Sequence, residues 1–100
     1  MEKLKHRPTL QLLRSAVAAG RDLTISYHGE VVTVEPHALL QANRSSAFVL
    51  AAWVTKSKEW GFFRFAEIRG VKFEKRAFVP RPDVPKKVPF RSTISKQKQD

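Results

Sequence analysis

Apolar residues recur at helical spacing in one stretch of this chain. In PTLQLLRSAVAA, residues 8–19, Leu10, Leu13 and Val17 share a side, with Ala16 beside them. Pro8 suits a first helical turn and Gly20 a helix end, so one short helix is expected over 8–19. Such a helix persists only if it packs on something. From Arg21 the period becomes two. Leu23, Ile25 and Tyr27 alternate with Asp22, Thr24 and Ser26, the pattern of a half-buried strand. His28-Gly29 has the length of a hairpin loop, with Gly29 supplying positive φ. Val31–Val34 return as a second strand, which Pro36 ends or bends because proline donates nothing to a ladder. QANRSS, residues 41–46, has loop composition.

AFVLAAWV, residues 47–54, is apolar at every position, as in a strand covered on both faces, with the helix as one cover. TKSKE forms the next turn and Trp60–Phe65 a fourth strand. Residues 66–70 make one short turn, and Val71–Val79 a fifth strand. One helix and about five short antiparallel strands favour a small, strongly bent sheet or barrel. No second helical pattern is present to build a helix-turn-helix. After Phe78 the alternation is lost. PRPDVPKKVPF holds four of the six prolines, and STISKQKQD is polar and basic. The expected organisation is a basic N-terminal segment (1–7), one domain (8–79) and a Pro/Lys-rich, extended or disordered basic tail (80–100). That tail is either a solvated terminus or an arm that follows a phosphate backbone or a partner's acidic face.

Charge adds a partner class to this outline. The chain has 100 residues and a formal net charge of +10. Residues 1–79 carry 13 basic and 7 acidic groups, so the excess is not confined to the tail. A basic surface draws polyanions such as nucleic acid, nucleotides or anionic lipid. The absence of cysteine removes disulfides, thiol catalysis and thiolate metal sites. No apolar run approaches the roughly 18 residues of a membrane span, and no signal peptide follows the basic start. A soluble, cytoplasmic protein with no membrane partner is expected.

The pattern offers no catalytic constellation. There is no glycine-rich phosphate loop, no paired-histidine metal spacing and no nucleophile elbow. His6, His28 and His37 are isolated, whereas a zinc site wants three or four convergent ligands. No enzyme activity, metal or cofactor is expected. Binding chemistry is better represented. In the fourth strand, Trp60, Phe62, Arg64 and Ala66 share one face, and Gly61, Phe63 and Phe65 the other. With Phe63 and Phe65 assigned to the core, Arg64 projects beside Phe62 and Trp60. Such a face stacks bases and pairs a phosphate. The alternative for Arg64 is a structural role, bonded to strand-end carbonyls, Glu35 or Glu67. Tyr27 is either a ligand contact or a core residue with a wet hydroxyl. His28 is a turn residue. His37, after the proline that extends the backbone, is either a ligand contact or a hydrogen-bonding histidine.

The order of the pieces resembles the WYL domain. The matching residues are the helix ending in AVAAGRDLTISY, then VEPHALL, AFVLAAWV and FFRFAEIRGVKF, covering about residues 10–80. They supply a tyrosine ending the first strand (Tyr27), a Val-x-Pro step (Val34-Glu35-Pro36), an aromatic-x-Leu strand (Phe48-Val49-Leu50) and a Phe-Arg-x-x-x-Ile segment (Phe63 to Ile68). The resemblance implies a small SH3-like (Sm-like) β-barrel. It also implies a ligand-sensing or nucleic-acid-binding regulatory role of the kind found in bacterial transcription regulators. In that setting Arg64 is the basic residue of an aromatic groove, with Tyr27 and His37 nearby. Three positions depart from the family pattern. The name-giving triplet is Phe48-Val49-Leu50, the arginine often found four residues before the proline is Val32, and the second arginine of the Arg-Ile pair is Glu67. The partners expected are nucleic acid or a nucleotide-like anion, with a DNA-binding or other protein partner and a homodimer as further options. The alternative to ligand binding is a protein-interaction or dimerisation module that has lost the standard site.

Overall fold

The computed structural model describes residues 7–41 and 47–88. A helix α1 (Leu10–Ala19) is followed by five strands: β1 (Arg21–Tyr27), β2 (Glu30–Gln41), β3 (Phe48–Val54), β4 (Glu59–Arg64) and β5 (Ile68–Ala77). A 3-10 turn, Phe65–Glu67, joins β4 to β5. The N-terminal segment falls outside the described residues except for Arg7. The 41–46 loop does so except for Gln41, and the tail does so from residue 89.

Local chemistry explains each boundary. The Thr9 hydroxyl accepts from the Leu12 N–H at 3.0 Å, so the helix starts after Thr9, two residues later than Pro8 alone suggests. Gly20 ends it in the left-handed region at φ 68°, with its N–H on the Ala16 and Val17 carbonyls. His28 and Gly29 both take positive φ, 52° and 79°, which suits the two-residue hairpin between Tyr27 and Glu30. Pro36 bends β2 and does not end it. The strand runs on to Gln41 because Pro36 lies beyond the last β1 pairing, Leu23 with Val34. The β3 register then slips between Pro36 and Ala38, leaving His37 as the extra residue of a bulge.

The sheet is antiparallel throughout, in the order β4-β3-β2-β1-β5. The mainly β, one-helix class with five antiparallel strands is as expected, but the sheet does not close into the expected barrel: β1 to β4 pair in sequence and β5 returns to pair with β1. It is an open sheet: among the described residues no ladder joins the edge strands β4 and β5. It is nevertheless strongly curled. β1 and β4 are three strand spacings apart, about 14 Å in a flat sheet. Yet the Tyr27 hydroxyl of β1 accepts from the Arg64 N–H of β4 at 3.1 Å. The bulge at His37 and the register shifts flanking Leu23 and Tyr27 supply local twist for this curl.

One face of the sheet packs with α1. Leu13 and Ala16 of the helix join Leu23, Ile25, Val34, Leu50, Ala52, Phe63, Ile68 and Val71 in a single core. Each fully buried leucine of that set contributes about 1.5–3 kcal/mol. Phe63 falls in the core, as the period of two predicts, whereas Phe65 lies past the end of β4 in the 3-10 turn and packs against the core's margin from there. The other face carries Glu35, Trp53 and Trp60. Residues 78–88 return across it. They form no helix or strand, as their prolines require, but Phe78, Arg81 and Asp83 contact that face and do not simply extend into solvent. Arg81 reaches Glu35, and Val88 is buried.

Candidate anionic-ligand interface

β4 lies against β3 with Trp60 opposite Trp53, Phe62 opposite Ala51 and Arg64 opposite Val49. The strand period therefore lines Trp60, Phe62 and Arg64 along the face away from α1. These residues and the two others singled out in the sequence, Tyr27 and His37, sort into two clusters at opposite ends of β4, with Phe62 between them.

The first cluster surrounds Arg64. Its side chain is 46% exposed, and its guanidinium lies 3.9 Å from Glu67. Both sequence readings of Arg64 are therefore present together: it faces outward, and it has an acidic neighbour three residues on. Glu35, the other partner considered, is taken up elsewhere. Tyr27 packs edge-on against Phe63, with ring centroids 5.1 Å apart, and its hydroxyl donates to Glu67 while accepting from the Arg64 N–H. Burial pushes the Tyr27 phenol up from its ordinary value, against the opposing hydrogen bond from the Arg64 N–H. His28, which reads as a mere turn residue, stacks on the Tyr27 ring at 4.1 Å and bonds to Glu67. That hydrogen bond is the main reason the Glu67 carboxyl is held below its usual range.

The second cluster surrounds Glu35. This carboxylate is 2% exposed and has nitrogen-bearing side chains on several sides. Arg81 Nε donates to it at 2.9 Å, Arg76 lies at 3.4 Å, and His37 Nε2 at 3.3 Å. Burial alone raises such a carboxyl. Hydrogen bonds from Arg81 and His37, the Arg81 charge and the Arg76 bond outweigh it, so the Glu35 carboxyl sits below the usual glutamate range. Arg76 also makes two bonds to Asp22, at 2.9 and 3.0 Å. The His37 side chain is 4% exposed and lies between the rings of Trp60 and Phe78. The Trp60 indole N–H donates to Asp83 at 3.3 Å, and the Arg81 guanidinium sits 4.1 Å above the Trp53 ring.

The structure thus brings Tyr27 to Arg64 and His37 to Trp60. Arg64, half exposed, and Phe62, half-buried, lie at the other end of the row. Pattern reasoning missed Arg81, Asp83 and Trp53. Arg81 and Asp83 sit in a proline-rich stretch with no period, and Trp53 reads as one more apolar residue of β3. Among the described residues no group of three or more His, Asp or Glu side chains is placed to hold a metal ion. No described helix is long and apolar enough to cross a membrane.

Comparison with known proteins fits this architecture. No curated protein matches the chain. Among solved structures, proteasome accessory factor B/C (PafBC) of Arthrobacter aurescens is similar in fold, with a TM-score of 0.61 at 16% identity. The match covers 74% of this chain but 13% of that protein, so this chain corresponds to a small part of it. The family model of the WYL domain matches residues 8–73, from the residue before the Thr9 cap into β5. That span takes in the helix, the hairpin, the bulged β2 and the Arg64 strand, and by it the chain belongs to the WYL domain family.

Proposed function

We propose that this chain is a non-enzymatic regulatory module that binds nucleic acid or a nucleotide-like anion on the basic, aromatic face of β4. One observation carries this reading. Arg64 stands half exposed at the end of the Trp60–Phe62 row, on a strand whose backbone is clamped by Tyr27. A guanidinium beside ring faces pairs a phosphate while a base stacks. Arg64 is the phosphate contact and Phe62 the stacking surface, with Trp60 extending it. Tyr27 and His37 act by position, Tyr27 through the Arg64 backbone and His37 through Trp60 and Glu35. Glu67 stands where an arginine is common in the family. Its ion pair with Arg64 is long, at 3.9 Å, so an incoming phosphate exchanges with it at modest cost.

The test is a salt-titrated binding assay with a labelled single-stranded oligonucleotide. Binding is expected to weaken steeply with salt, by a logarithmic slope of about 0.7 per phosphate contact. Arg64→Ala is expected to weaken binding and lower that slope while leaving the unfolding temperature unchanged. If neither oligonucleotides nor nucleotides bind at low salt, or if Arg64→Ala chiefly lowers stability, the reading fails.

A second reading, a protein-interaction or dimerisation module, is favoured by the open sheet. The outer edges of β4 and β5 have no strand partner among the described residues, and Val31 and Phe73 are exposed at 60% and 40%. A strictly monomeric mass in solution at high protein concentration would remove the homodimer form of it.

A further inference from the structure

Glu35 is a buried carboxylate on the face of the sheet that α1 leaves uncovered, and its surroundings amount to a built receptor. Its floor is the carboxylate, and one wall is the Trp53 ring. The flank is Trp60 with His37, whose ring centroids are 5.1 Å apart. Arg76 stands at the rim but is bonded mainly to Asp22. The group that fills the recess is the guanidinium of Arg81. It donates through Nε at 2.9 Å and Nη2 at 3.5 Å to the two oxygens of Glu35, and its Cζ lies over the Trp53 ring, 4.1 Å from the ring centre. Two donors in one plane, with a π face beside them, suit a guanidinium and not an ammonium.

The rest of the segment follows Arg81. The Phe78 N–H donates to the Gly20 carbonyl at 2.9 Å, and the Phe78 ring meets His37 at 4.6 Å. Asp83 takes the Trp60 indole N–H. Pro80, Pro82 and Pro85 limit the conformations the free segment can visit, so docking costs less entropy than it would for a flexible tail. We propose that the Glu35–Trp53 recess is a guanidinium-binding site, and that Arg81 in this site fastens residues 78–88 as a strap over Trp60 and His37. One consequence rests on the function proposed above: the closed strap withholds the Trp60 end of the stacking row from a ligand that enters at Arg64.

The two tryptophans of the chain, Trp53 and Trp60, both line this recess, so in the folded chain tryptophan fluorescence reports on it. In the full chain, Arg81→Ala is expected to red-shift the emission and increase acrylamide quenching, with the far-ultraviolet circular dichroism unchanged. Ethylguanidinium added to that variant is expected to reverse much of the shift, and ethylammonium at equal ionic strength is not. Arg81→Lys keeps the charge and is expected to behave as Arg81→Ala, which guards against a variant that merely loses charge or fails to fold. Unchanged fluorescence in both variants overturns the strap. Equal rescue by the two cations overturns the guanidinium site.

Oligonucleotide binding separates the consequence from its premise. Arg81→Ala removes a positive charge, so simple electrostatics makes it a weaker binder, whereas release of the strap makes it severalfold tighter. Weaker binding, with the wild-type chain still binding through Arg64, overturns the withholding of Trp60. Absence of binding by the wild-type chain overturns the proposed function, and the fluorescence arm then decides the recess by itself.

Discussion

Gly61 sits between Trp60 and Phe62, in the strand that carries the candidate interface, and a single methyl group there tests how that strand is held. A Cβ on Gly61 would lie 2.8 Å from Cε2 and Cζ of Phe63 and 2.9 Å from Cγ2 of Val54. Carbon atoms in contact prefer about 3.5–4.0 Å. The Phe63 ring crosses the glycine on the core face, and it cannot swing away freely because it packs edge-on against Tyr27. Overpacking of this kind costs about 1–3 kcal/mol. The backbone of Gly61 lies outside the positive-φ region, so alanine also narrows the unfolded ensemble and returns about 0.4–1 kcal/mol. The packing effect wins, for a net loss of about 0.5–2 kcal/mol. In a domain of this size that lowers the unfolding temperature by roughly 2–16 °C. Thermal unfolding of Gly61→Ala, followed by circular dichroism and tryptophan fluorescence together, measures it. A midpoint equal to or above that of the wild-type chain would refute the packing argument and assign the glycine another role.

Two further outcomes follow from the clusters at the ends of β4. Tyr27→Phe keeps the ring against Phe63 but takes the acceptor from the Arg64 N–H and a donor from Glu67. The expected loss is about 0.5–1.5 kcal/mol, seen as a lower urea midpoint at unchanged slope, and an unmoved midpoint would show that the hydroxyl clamps nothing. Glu35 and Glu67 both have carboxyls held below the usual glutamate range, so the folded chain binds their protons less readily than the unfolded chain. Their stabilisation is complete above the ordinary glutamate range and is lost as pH falls through the lowered values. Arg81, His37 and Arg76 face Glu35, with Asp22 beyond Arg76. Glu35→Gln should therefore flatten the acid limb of a stability-against-pH curve; an acid limb identical to wild type would rule out this linkage.

Much of the fold was legible because it is written in local periods. Leu10, Leu13 and Val17 mark a helix, Leu23, Ile25 and Tyr27 a strand, and Gly20 and Gly29 the breaks, all from steric and hydrogen-bonding rules that act over a few residues. The alternation of β4 also placed Phe63 inside and Arg64 outside before any neighbour was known. The boundary of α1 was less legible, since it depends on whether the Thr9 hydroxyl caps the helix or Pro8 opens it. The course of β2 past Pro36 was also hidden, because it depends on which neighbour needs the missing N–H.

The sequence by itself determined the set of elements, the two faces of β4 and the basic character of the surface. Only the tertiary structure decided who meets whom. Tyr27 and Arg64 are 37 residues apart, and Glu35 and Arg81 are 46 apart. Both meetings follow from the curl of the sheet and from a segment with no period of its own. Side-chain periodicity reports which way a residue points and carries no term for how far a bulged, twisted sheet will roll. A charged residue in a proline-rich stretch therefore looks like solvated tail until the buried carboxylate that it neutralises has been placed beneath it.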